Sequence, residues 1–137
     1  MSSIRTEITL RNAVDVGNAK RGYIMDAQVR SLTVKALADT GAWTLVINED
    51  TCQKLGLVLE GTTPGVPGDD SSVDCQITNG VEVHWKNRKT VCPALVVPGA
   101  AEVLFGALPM EGMDLIIHPR KEEIVSAHSD TILRFIK

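Results

Sequence analysis

Asp39, Thr40, Gly41 and Ala42 stand in a row within the stretch LADTGAWTLVI, residues 37–47. An apolar pair leads in and a β-branched run follows, so a carboxylate is held close to a core. Thr40 offers a hydroxyl, and the neighbouring backbone amides can fix the carboxylate's orientation. Gly41, lacking a Cβ, lets another backbone approach. Rigid elements on both sides of a small loop are how a precise site is usually held. The chemistry this suits is acid–base hydrolysis, but one carboxyl cannot both activate water and protonate a leaving group. Two carboxyls at ~3 Å cannot both ionise, so such a pair supplies a base and an acid together. The chain has one Asp-Thr-Gly. A second copy would supply the partner, because a two-fold axis places the same residue opposite itself. The plainer alternative is an Asx-type turn between two strands.

Other chemistry-bearing residues form no comparable constellation. Asp114 also lies in an apolar setting, but it follows a short helical segment, where a salt bridge or helix-end hydrogen bond suits it. Cys52, Cys75 and Cys92 are odd in number and widely spaced, with no C-x-x-C. They read as buried, reduced cysteines rather than as a disulfide framework or zinc knuckle. His84, His118 and His128 are scattered, and no H-E-x-x-H occurs. No metal and no cofactor is expected. Trp43 and Trp85 read as packing residues, and His118 as part of a surface turn.

The elements that must position Asp39 read mostly as strands. Tyr23, Met25, Ala27 and Val29 alternate with more polar neighbours, as do Leu32, Val34 and Ala36. Val73, Cys75 and Ile77 form a third set, and Val81, Val83 and Trp85 a fourth. Such alternation predicts half-buried strands. Asn79-Gly80 between two of these sets predicts a hairpin, and Asn87-Arg88 a tight turn. Helices are few and short. Asn48 as N-cap, Glu49 and Asp50 in the first turn and Gly56 as the stop predict one over 49–55. A second is expected over 107–112, weakened by Pro109 and Gly112. Residues 60–72, EGTTPGVPGDDSS, read as a loop within the domain.

The 137 residues suffice for one domain with its own core, spanning 1–137. A net charge of −3 argues against a nucleic-acid footprint. Apolar runs such as VLFGALPM fall far short of the roughly 20 residues of a membrane span. The N-terminus MSSIRTEITLRN, broken by charges, shows no signal pattern. A cytoplasmic protein binding neither nucleic acid nor membrane is expected.

LADTGA resembles the Asp-Thr-Gly-Ala signature of the retropepsin-like aspartic proteases, the clan of retroviral proteases and their small bacterial and archaeal relatives. Downstream, EVLFGALPMEGMDLII (102–117) resembles the family's motif of two apolar residues and a glycine. TCQKLGL (51–57) resembles the helix ending of bacterial members. The likeness runs over about residues 22 to 126, in the family's order and spacing. It implies a small closed all-β barrel with one or two short helices, working as a homodimer on peptide or protein substrates. Asp39 would share a water and a proton with Asp39 of the second chain. Thr40 would brace both loops across the dimer, and Gly41 and Ala42 would line the cleft floor. Leu104, Phe105 and Gly106 would form the strand beneath the Asp loop. Residues about 62–72, with Gly65, Val66, Pro67 and Gly68 at their centre, would be the flap.

The chain departs from the pattern in places. Pro64 and Pro67 stiffen the flap candidate and remove donors, and Asp69 and Asp70 make it acidic. Trp43 puts bulk directly after the signature. The segment SDTILRFIK (129–137) is a candidate for pairing at a dimer interface. These departures keep a second expectation open, a catalytically inactive module for binding or dimerisation. In a chain that stays monomeric, Asp39 would be an inert half-site.

Overall fold

The computed structural model describes residues 4–63, 75–99 and 101–128. Strand β1 (Arg5–Asn12) leads into helix α1 (Ala13–Lys20), and a single 3-10 turn at Asp26–Gln28 precedes β2 (Ser31–Ala38). Strand β3 (Leu45–Asn48) runs into α2 (Glu49–Lys54), followed by β4 (Leu59–Thr63) and β5 (Cys75–Thr78). Then come β6 (Val81–Trp85), β7 (Arg88–Cys92), β8 (Ala94–Val97), β9 (Leu104–Phe105), α3 (Ala107–Gly112), β10 (Leu115–His118) and β11 (Glu123–Ser126). Among the described residues nine strands form one sheet in the order β4-β5-β8-β3-β9-β2-β1-β6-β7, and β10 and β11 form a hairpin of their own. The sheet curls into a half-barrel, so the all-β expectation holds. Among the described residues its hydrogen-bonded order ends at β4 and β7 rather than closing into a full barrel.

Alternation decides what the curl encloses. Ile8 and Leu10 of β1, Ala36 of β2, Val81, Val83 and Trp85 of β6 and Phe105 of β9 point inward, where Met110 and Met113 join them from α3 and its end. The Trp85 indole N–H donates to Thr6 Oγ1 at 2.9 Å, so the ring is buried with its polar atom satisfied. The opposite face of β3, β5, β8 and β9 carries a second, smaller apolar cluster built on Ala42, Val46, Cys75 and Leu95. No helix among the described residues is long and apolar enough to cross a membrane.

The two expected helices form. The Asn48 side chain accepts from the Thr51 N–H at 2.8 Å and starts α2. Gly56, at φ +61, ends it in the left-handed region that glycine enters without cost. Three expectations fail. Tyr23–Val29 is not a strand, because its amides close local turns: Tyr23 N–H donates to Asn18, Gln28 to Met25 and Val29 to Asp26. Tyr23 and Met25 consequently stay exposed. Asn79-Gly80 closes no hairpin, since β5 pairs with β4 and β8 while β6 pairs with β1 and β7. There the chain changes partners, with Asn79 bound to Val58 and the Gly80 carbonyl accepting from Ala13. The β6–β7 turn is one residue earlier than expected, over Lys86-Asn87, with Lys86 at φ 52. Strand β4 takes the first residues of the expected 60–72 loop. The rest of that loop and Val73 lie outside the described residues.

The entry into β2 is tied by a buried polar group. Asp15, 6% exposed, accepts from Arg30 Nε at 2.8 Å, Arg30 Nη2 at 3.0 Å and the Arg30 backbone N–H at 3.0 Å. Those bonds hold its carboxyl below the usual carboxylate range. Burial pushes Glu82 up, but the hydrogen bond from His84 and the charges of His84, Arg11 and Lys89 outweigh it, leaving Glu82 low as well. Both carboxyls therefore bind protons more weakly folded than unfolded. The stability they add is complete above their unfolded values of about 4 and is lost as pH falls through the lower folded values. Thermal melts across pH 7 to 3 should show a steep loss below about pH 4. Asp15→Asn should lower the melting temperature at pH 7 and flatten that acid slope.

Candidate active site

Strand β2 delivers Asp39 and β3 receives the chain after the loop. The Asp39 N–H donates to the Phe105 carbonyl at 3.0 Å, which fixes the loop to β9. The Asp39 carbonyl accepts from Ala42 N–H at 3.1 Å, and the carboxylate Oδ1 accepts from Gly41 N–H at 2.9 Å. This is an Asx-type turn, and it orients the carboxylate rather than merely reversing the chain. Among the described residues Gly41 is the one hydrogen-bond donor to that carboxylate, so Oδ2 remains available. Asp39 is half-buried, and Thr40 and Gly41 are exposed beside it, while Ala42 is buried in the smaller cluster.

The motif around Gly106 supports the loop from below. A Cβ on Gly106 would lie 2.1 Å from the Thr44 carbonyl oxygen and 2.7 Å from that of Ala42. Only a glycine permits this approach. Next to it the Ala107 N–H donates to Ala42 at 2.9 Å and the Leu108 N–H to Trp43 at 3.0 Å. The first amides of α3, which have no partner within the helix, thus cap carbonyls of the Asp loop. Thr44 is fully buried and donates from Oγ1 to the Pro93 carbonyl at 2.9 Å, anchoring the loop's far end. Leu104 contacts the smaller cluster and Phe105 the main core, so β9 separates the two.

The structure therefore brings Asp39, Thr40, Gly41, Ala42, Leu104, Phe105 and Gly106 together. The flap candidates Gly65, Val66, Pro67 and Gly68 lie outside the described residues, as does segment 129–137. Trp43 is 54% exposed beside the Asp loop, which overturns its reading as a packing residue. Asp114 is occupied elsewhere, with Oδ1 2.7 Å from His128 Nδ1 and Oδ2 accepting the His128 N–H. His118 lies at a surface turn and accepts from Arg120 and Lys121 N–H. The three cysteines are buried and unpaired, and burial pushes the thiols of Cys52 and Cys92 up, away from the reactive thiolate.

Sequence reasoning missed Thr44 and the whole of β1. The signal for β1 was present in Ile8 and Leu10 alternating with Glu7, Thr9 and Arg11. Ala38 N–H donates to the Ile4 carbonyl at 2.8 Å, so the residue before β1 helps seat the residue before Asp39.

No family model and no curated protein sequence matches the chain. Solved structures do. The retroviral protease-like domain of Ddi1 from Leishmania major is 14% identical, with a TM-score of 0.60 over 94% of this chain and 91% of its own. The EIAV protease in complex with the inhibitor HBY-793 is 18% identical, with a TM-score of 0.52 over 76% of this chain and 81% of its own. The chain has a retropepsin-like fold.

Proposed function

We propose that this chain is an aspartic endopeptidase that works as a homodimer, hydrolysing peptide bonds between two Asp39 carboxyls. The observation that carries the reading is the Asp39 loop itself. Its carboxylate is braced through one oxygen by Gly41, and its backbone is pinned to Phe105, within a retropepsin-like fold. Across a two-fold axis, two such carboxyls would share one proton. The ionised member takes a proton from a water as it attacks the peptide carbonyl, and the protonated member stabilises the developing oxyanion. The proton gained from water then passes to the leaving amine. Thr40, exposed beside Asp39, braces the two loops. Gly41 and Ala42 form the floor on which an extended substrate lies, and residues 65–68 serve as the flap. Three buried, unpaired cysteines suit a reducing compartment, and we assign the protein to the cytoplasm.

A half-site is inactive alone, so cleavage of a diverse peptide mixture should rise faster than linearly with protein concentration until the dimer saturates. Strict proportionality down to nanomolar protein would contradict an active site shared between weakly associated chains. No turnover at any concentration between about pH 4 and 7.5 would favour the non-catalytic binding or dimerisation module.

A further inference from the structure

One sheet face carries a continuous row of cross-strand neighbours past the Asp loop. Ile77 of β5 opposes Leu95 of β8, which opposes Val46 of β3. Val46 opposes Leu104 of β9, Leu104 opposes Leu37 of β2, and Leu37 opposes Arg5 of β1. Directly opposed residues share a face, and so do residues two apart along a strand. Leu37 therefore shares its face with Asp39, two residues on. Val103 and Phe105 face the main core while Leu104 faces away from it. By the same alternation Glu102 lies on the outer side with Leu104, and it is exposed there.

The apolar row thus ends in charge. Arg5 Nε lies 2.6 Å from Glu102 Oε1 and Arg5 Nη2 lies 3.3 Å from Oε2, a side-on bidentate pair. Both side chains are substantially exposed, at 47% and 38%. Glu102 is held in place by its neighbours, since the Val103 carbonyl accepts from Leu37 N–H and the Ala101 carbonyl from Asn48 Nδ2, each at 2.9 Å. The pair uses one edge of the guanidinium, two of its five N–H groups, and leaves the Nη1–Nη2 edge for a second carboxylate. That free edge is a planar two-donor fork that matches a carboxylate bidentately. Each Glu102 oxygen already accepts one N–H and offers an added cation only its remaining lone pairs, so the pair takes an added carboxylate in better geometry than an added ammonium.

We propose that Arg5 is a specificity-determining residue, giving the cleft a preference for extended peptides with an Asp or Glu side chain at the β1 end of this row. The inference rests on the peptidase reading for its consequence in turnover, but binding tests it separately. Peptide series identical except for Glu, Gln or Lys, scanned through the positions flanking the cut, should show one position where Glu is favoured over Lys by about tenfold in kcat/KM. The ratio should shrink at high salt. Arg5→Gln should bring it to about one, and Glu102→Gln should widen it by removing the competing carboxylate. The same peptides, fluorescently labelled, should bind Asp39→Asn with the same order of preference, and Arg5→Gln added to that variant should abolish the order.

Retained discrimination after Arg5→Gln, or a preference for Lys, overturns the proposal in either assay. Failure of every peptide to bind also overturns it. Binding with Arg5-dependent preference but no cleavage by the wild type leaves this inference standing and removes the peptidase reading instead.

Discussion

Replacing Asp39 with Asn should lower peptide cleavage by about a hundred- to ten-thousandfold, the loss expected when an acid–base group is removed. The fold should survive. The bond holding the loop runs from Gly41 N–H to Asp39 Oδ1, and an Asn side-chain oxygen accepts it equally well. The backbone bonds to Phe105 and Ala42 do not involve the side chain. The melting temperature at pH 7 should therefore stay within a few degrees of the wild type, and the dimer should be retained. Mixing wild type with an excess of the variant should reduce wild-type activity, because each mixed dimer has one aspartate. Wild-type rates in the purified variant would show that Asp39 is not the reacting group. The acid limb of any rate–pH profile needs melts measured in parallel, since Asp15 and Glu82 withdraw stability in the same range.

Gly106→Ala should be among the most damaging single-methyl additions available. The backbone at Gly106, φ −90 and ψ −171, is extended and open to alanine, so the cost is steric. The added Cβ would meet two carbonyl oxygens at 2.1 and 2.7 Å. These belong to backbone, and one of them accepts the Ala107 N–H. Relief requires moving α3 away from the Asp loop, which breaks the two bonds that join them. We expect a loss of about 3 kcal/mol, at the upper end for overpacking. That corresponds to a fall in melting temperature of about 10 °C. Gly61→Ala is the matched control, since nothing lies within 4 Å of its Cβ position. It should melt within a degree or two of the wild type. Equal stability of the two variants would contradict the close packing of β9 under the loop.

Local interactions are what the sequence by itself determined. The Asn48 cap, the Gly56 stop and the Ala107–Gly112 helix involve residues within a turn or two of each other, so their logic is written in adjacent letters. Alternation identified β2, β5 and β6 for the same reason, because a strand's two faces are a property of its own residues. The Asp39 loop stood out through its residue types alone, and the role proposed for it through the likeness of its motif.

Pairing was decided only in three dimensions. Alternation shows which side chains share a face but not which strand lies alongside. Asn79-Gly80 looked like a hairpin and is a crossing between distant parts of the sheet. Tyr23–Val29 alternates, yet its amides are spent on local turns, so no neighbour can recruit it. Gly106 is required because the carbonyls of Ala42 and Thr44, some sixty residues earlier, close on it. Arg5 and Glu102 meet across 97 residues, and the apolar row they terminate draws on five strands. Contacts of that range arise from the curl of the whole sheet. Tertiary packing brings them about by burying both faces at once, and no short window of sequence records it.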